Sequence, residues 1–169
     1  MDNIILFSER QRFKKIWLWL ILIGINGLFI FSLTKQVIFR HQFGDKPISN
    51  IGLILVTILT LLFSFLFFSL RLETNIKTDG IYVRFFPFQL GFKYYPWDKI
   101  NQSFVRQYNP IREFGGWGIR GLGKNRALNV SGDIGIQLVM QDGTRLLIGT
   151  NKVEEATLTL KRLGHLTAT

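Results

Sequence analysis

Two stretches of this chain contain no charged residue: 16–34, IWLWLILIGINGLFIFSLT, between Lys15 and Lys35, and 47–70, PISNIGLILVTILTLLFSFLFFSL, between Lys46 and Arg71. A helix of about 20 residues crosses a hydrocarbon core of about 30 Å, and both stretches reach that length. The second is apolar on all sides from Ile51 to Leu70, whereas a helix on the surface of a soluble domain keeps a polar face. The rival reading, a buried helical hairpin, needs more surrounding protein than a chain of 169 residues supplies. A cleaved signal peptide would carry a shorter apolar core and a small-residue cleavage site, which the first stretch lacks. Two transmembrane helices are therefore expected, with Asn26, flanked by Gly24 and Gly27, as the helix–helix contact. No charged residue interrupts either span, which argues against a conducting or transporting role.

The formal net charge is +10. Arg10, Arg12, Lys14 and Lys15 precede the first span, and Arg71, Lys77 and Arg84 follow the second, against Lys35, Arg40 and Lys46 between them. The excess of basic residues outside the connecting loop places both termini in the cytoplasm of a multi-pass inner (plasma) membrane protein. The expected plan is a basic cytoplasmic tail at 1–15, spans at 16–34 and 47–70, an external loop at 35–46 and a cytoplasmic domain at 71–169. Cysteine is absent, which removes disulfides, thiolate zinc sites and cysteine nucleophiles together.

Beyond Arg71 the hydrophobic period shortens to two. Strands are expected at 72–77, 81–88, 90–95, 103–109, 126–131, 135–141 and 144–149, with Asp79-Gly80 and Asp142-Gly143 as turns. A final helix follows, with Asn151 and Glu154 as a capping box, an apolar stripe of Val153, Ala156, Leu160 and Leu163, and Gly164 as its stop.

The segment EFGGWGIRGLGKN, 113–125, contains G-x-G-x-x-G at Gly116, Gly118 and Gly121, and all of a Walker loop but its final hydroxyl, where Asn125 stands. Phosphate binding by such loops needs a helix N-terminus directly after the glycines, and here a strand follows. The glycines are expected to shape a long connection that lies against the domain, with Trp117 and Ile119 pointing inward. Arg112, Trp117, Arg120, Lys124 and Arg126 gather around this connection as a candidate surface for an anion or a partner, since guanidinium forks suit phosphate and carboxylate.

No catalytic set is visible, and no cofactor or metal site is expected. His41 and His165 stand alone, Asp79 and Asp142 belong to turns, and Ser103 and Ser131 have no evident base. Residues 71–169 carry 14 basic and 8 acidic side chains, but no nucleic-acid motif accompanies Tyr82, Phe85, Phe86, Tyr94 and Tyr95, whose rings a small barrel needs for its core.

The hairpin TDGIYVRFFPF, the turn YYPWDKI and the run REFGGWGIRGLGKNRALNVSGDIGIQLVMQDGTRLLIGTNKVEEA give the chain a resemblance to bacterial membrane proteins that carry a pleckstrin-homology-like (PH-like) domain after two transmembrane helices. The resemblance covers roughly 72–164. It implies a membrane-anchored α+β protein: a two-helix hairpin followed by a seven-stranded antiparallel PH-like split barrel capped by a C-terminal helix. In eukaryotic relatives of that fold, basic residues around the first hairpin loop hold phosphoinositides; here that loop, Lys77-Thr78-Asp79-Gly80, is short and carries an acid. The expected function is a non-enzymatic interaction module at the cytoplasmic membrane surface, binding a protein segment or an anionic lipid headgroup. The alternative is an accessory subunit of a membrane enzyme or transporter acting through Gly24, Asn26 and Gly27.

Overall fold

The computed structural model describes residues 4–13, 16–41, 48–121 and 123–167. Lys14, Lys15 and Lys46, counted above for orientation, and part of the expected external loop lie outside them. The chain forms an α+β structure of two units, one made of Met1–Phe13 with Leu70–Thr169 and the other of Lys14–Ser69.

The second unit is a pair of helices, α1 (Ile16–Leu33), continued by a π-helical turn to Ile38, and α2 (Asn50–Ser69). Both are long and apolar enough to cross a membrane. At 1.5 Å per residue, α2 is about 30 Å long. The pair is antiparallel: Trp19 meets Phe68 edge-to-face at 6.2 Å, Asn26 Nδ2 donates to Ser64 Oγ at 2.6 Å, and Gln36 Nε2 donates to Asn50 Oδ1 at 2.9 Å. Asn26 thus bonds across the pair as its sequence position suggested. Gly24 and Gly27 do not face α2: a methyl group added to either would meet nothing within 4 Å. The expected loop is also shorter, because the apolar Val37 and Ile38 extend the helix past Lys35.

The first unit begins with the segment expected to be a tail. Ile5–Arg12 is a strand, β1, which pairs antiparallel with β2 (Arg71–Lys77), from Phe7↔Ile76 to Arg12↔Arg71. The two apolar helices are therefore inserted between neighbouring strands of one sheet. β3 (Gly80–Phe86) and β4 (Lys93–Pro96) complete a four-stranded meander, β1-β2-β3-β4. A 3-10 turn, Trp97–Lys99, leads to β5 (Ile100–Gln107). A short helix α3 (Pro110–Phe114) and strands β6 (Gly118–Arg120), β7 (Asn125–Asn129), β8 (Ile134–Met140) and β9 (Arg145–Gly149) follow. They form a five-stranded sheet in the order β5-β8-β9-β7-β6.

Among the described residues, nine strands in two open sheets stand in place of the seven expected. Leu90 and Gly91 fall in a turn, so the third expected strand starts later, at Lys93. The second sheet is not wholly antiparallel, because β7 pairs parallel to β9, from Asn125↔Arg145 to Leu128↔Ile148.

Alternation places Phe7, Leu72, Ile76, Ile81, Val83 and Phe85 on one face of the first sheet and Ile136, Leu138, Leu146 and Ile148 on one face of the second, all sealed from solvent. α4 (Val153–Arg162) packs on β1, β5 and β8 through Ala156 and Leu160, both fully buried. The expected capping box does not form. The N-cap position is Lys152, without a side-chain cap, while the Asn151 N–H donates to Glu9 Oε1 of β1 at 2.8 Å. Gly164, with φ +72°, ends the helix as expected.

Candidate functional site

The glycine-rich connection is built more tightly than its composition suggests. Asn109 caps α3: its Oδ1 accepts from the Arg112 N–H at 3.0 Å, while Glu113 Oε1 accepts from the Asn109 N–H at 2.8 Å. Pro110, whose missing N–H costs nothing in the first turn, opens the helix. Gly115, at φ +71°, closes it with its N–H on the Ile111 and Pro110 carbonyls. Phe114 and Tyr108 pack edge-to-face at 6.0 Å and, with Ala127 and Leu147, form a second buried cluster. Asn129 locks it, with Nδ2 donating to Tyr108 Oη at 2.9 Å and Oδ1 accepting from the Gly118 N–H at 2.8 Å. Burial pushes the Tyr108 phenol above its ordinary pKa. Gly121 is architectural: at φ +82°, a β-carbon there would stand 2.0 Å from the Asn125 carbonyl oxygen.

The five candidate residues do not converge. Register explains why: residues opposite each other in a ladder share a face, and neighbours along a strand do not. Arg120 pairs with Ala127, so it lies on the α3 side of the second sheet. Its Nε donates to the Trp117 carbonyl at 2.8 Å. Trp117 is half-buried rather than inward, with Nε1 donating to the Gly132 carbonyl at 2.9 Å. Ile119 is 46% exposed, contrary to expectation, because β6 is the sheet's edge. Arg112 stands exposed on α3. The nearby Arg106 is occupied, pairing with Glu113 at 2.7 Å and holding that carboxyl below the usual carboxylate range.

Arg126 alternates to the other face and helps line a cleft of about 460 Å³. β4 forms one wall with Tyr94, Tyr95 and Pro96, and Met140 and Leu146 of β8 and β9 form the opposite one. Lys99, Arg126 and Asp142 supply its charges. Lys124 acts at its rim, where its charge helps to hold Asp142 below the ordinary carboxylate pKa, though the larger cause is the Thr144 N–H on that carboxylate. Burial raises the Tyr95 phenol, and the Arg126 charge partly reverses the shift. Tyr94 stacks on Tyr82 at 4.6 Å, fixing the rim of the wall. β4 is an edge strand, so the cleft runs beside an unpaired row of backbone groups. Sequence reasoning missed the role of Tyr95 and Lys99; their one signal was the aromatic turn YYPWDKI.

The cleft's lining holds one carboxylate, Asp142, whose role is to brace the turn at Thr144. Among the described residues no group of His, Asp and Glu is arranged to hold a metal ion.

The chain is thus a β-rich domain with two apolar helices inserted after its first strand. It belongs to the Family of unknown function (DUF6141), whose profile matches residues 2–160. No curated protein and no solved structure matches it.

Proposed function

We propose that this chain is a non-enzymatic interaction module, held at the cytoplasmic face of the cell membrane by its helical hairpin, whose cleft beside β4 takes an extended segment of a partner protein. The observation that carries the reading is the coincidence of a free strand edge with a cleft of mixed aromatic and basic lining. An added strand gains main-chain hydrogen bonds from the edge, and alternate side chains enter the cleft. Lys99 and Arg126 favour an acidic side chain there, with Tyr95 beside it.

The membrane topology is supported by the insertion itself. Because β1 and β2 are sheet neighbours, the chain must cross an even number of times between them, and the arginines of both strands then lie on the cytoplasmic side. The PH-like kinship is supported by strand order. Four strands in a meander, three more as β5-β8-β9 and a following helix support that reading, and 110–129 adds α3, β6 and β7 at the far edge.

The test is selection of extended peptides against the full chain in lipid nanodiscs, followed by hydrogen exchange. Selected peptides should slow exchange in 93–96 and lose binding with Arg126→Glu. Peptides that bind without protecting β4, or none above background, would overturn the reading.

A second reading, an accessory role exerted through the helices, is favoured by Gly24 and Gly27, which leave an open, close-approach face on α1. Its mark would be a partner complex lost with Gly27→Leu and retained with Arg126→Glu.

A further inference from the structure

The face of the first sheet that points away from the core is strongly basic. Arg10 and Arg12 of β1, Arg71 and Lys77 of β2 and Arg84 of β3 share it by register, and Glu73 is the one carboxylate among those three strands on this face. Three guanidinium groups converge on Glu73: Arg10 at 3.3 Å, Arg71 at 2.9 Å, and Arg84. One acid cannot neutralise three cations, so the face keeps a net positive charge. Arg71 and Arg84 also lie over the Phe86 and Phe92 rings, at 4.2 and 4.5 Å, which orders them without neutralising them.

The last rung of this sheet is Arg12–Arg71–Phe86. Two chain segments leave that rung for the apolar helices: Ile16 is four residues beyond Arg12, and Ser69 two before Arg71. At no more than about 3.6 Å per residue, both arginines lie within roughly 15 Å of a helix end. The third segment is the β3–β4 loop, and its large side chains are apolar and exposed: Phe88 at 63%, Leu90 at 76%, and Phe92. The loop is held in shape. The Gln89 N–H donates to the Phe85 carbonyl at 2.9 Å, Gln89 Oε1 accepts from the Phe85 N–H at 3.2 Å, and Arg84 Nη1 donates to the Leu90 carbonyl at 3.2 Å. An ordered loop that directs three large apolar side chains outward beside a cationic sheet has the chemistry of a surface facing anionic lipid.

We propose that the β3–β4 loop inserts Phe88, Leu90 and Phe92 into the membrane interface while Arg10, Arg12, Arg71 and Arg84 hold anionic headgroups. The domain is then docked on the bilayer by this end, with the β4 cleft left for a partner. This rests on the helices being spans, and the experiment separates the two claims.

The chain has no cysteine, so single cysteines report cleanly. Leu90→Cys, Thr78→Cys in the β2–β3 turn at the far end of the sheet, and Leu28→Cys in the middle of α1 are each given an environment-sensitive fluorophore. The full chain is placed in nanodiscs of phosphatidylcholine, with and without phosphatidylglycerol. The label at 28 should be quenched by brominated lipid and the label at 78 by aqueous iodide. In anionic discs the label at 90 should be blue-shifted and several-fold less sensitive to iodide than that at 78. That protection should fall in neutral discs and with Arg10→Gln/Arg12→Gln. A label at 90 as open to iodide as that at 78, while 28 stays lipid-quenched, would overturn the docking proposal alone. Iodide access at 28 would overturn the spanning reading beneath it.

Discussion

Phe7 lies ahead of both apolar helices in sequence, yet it is 1% exposed in the core of a domain whose other strands begin at Arg71. Phe7→Ala removes a fully buried ring opposite Ile76, and such truncations cost about 3–5 kcal/mol. A domain of this size has about 5–15 kcal/mol in total. At about 4 °C per kcal/mol the midpoint should fall by about 12–20 °C. The assay is a thermal series on the full chain in nanodiscs, read by pulse proteolysis in β3 and β8. Arg12→Ala, at an exposed position on the same strand, should stay within about 0.5 kcal/mol of the parent. Equal midpoints for Phe7→Ala and Arg12→Ala would mean that residues 5–12 are a tail and that the domain folds without β1.

Gly121→Ala meets both a positive φ and the Asn125 carbonyl, so it should cost about 2 kcal/mol or more, whereas Gly123→Ala, at positive φ but with open space, should cost about 1; urea midpoints decide. Burial holds His165, stacked on Trp97 at 4.0 Å, below its ordinary pKa of 6.5. The unfolded chain therefore takes up its proton first as pH falls, and stability should decline from 6.5 downward until the folded-state pKa is passed; His165→Phe should flatten that part of the pH profile. Replacing 13–69 by a short turn containing Asn-Gly should leave a folded β-domain with β1 and β2 joined as an ordinary hairpin, detectable by its unchanged exchange protection in β8 and β9.

How much was legible depended on whether a local pattern carried the information. The two apolar helices were, because charge is absent over enough residues to cross a bilayer. The β2–β3 and β8–β9 hairpins were, because Asp-Gly stands between alternating runs. β1 was not, because two of its inward residues are polar. Glu9 is buried with its carboxylate accepting from the Thr150 hydroxyl at 2.6 Å, and Gln11 donates to the Gly149 carbonyl at 2.7 Å. Those partners lie some 140 residues away, so no window around 5–12 shows why a carboxylate and an amide belong inside. The cleft was hidden for a related reason. Arg126 and Arg120 look like one basic cluster in sequence, but the register of β6 on β7 sets Arg120 opposite Ala127, and alternation along β7 turns Arg126 to the other face. Lys99 and Tyr95 join Arg126 only once the two sheets are assembled.

The polar interior of β1 follows from where it sits. In the proposed topology β1 is made before the helices, waits beside the membrane, and finds β2 only after both helices have been inserted. Arg10, Arg12, Lys14 and Lys15 already separate Glu9 in sequence from the apolar run of α1. A charge at a helix centre opposes insertion by roughly 2.5–3.5 kcal/mol, so in that topology Glu9 adds to the barrier these cations set. Once α1 and α2 pair through Asn26 and Ser64, their Trp19 and Phe68 ends lie together, and the long connection between β1 and β2 becomes a short one. Closure entropy grows with the logarithm of loop length, so pairing the helices lowers the cost of the Arg12↔Arg71 rung before any strand contact forms. The buried Glu9 can then be satisfied by Thr150 and Asn151, in the connection between β9 and α4. Glu9 thus joins β1 to the connection between β9 and α4.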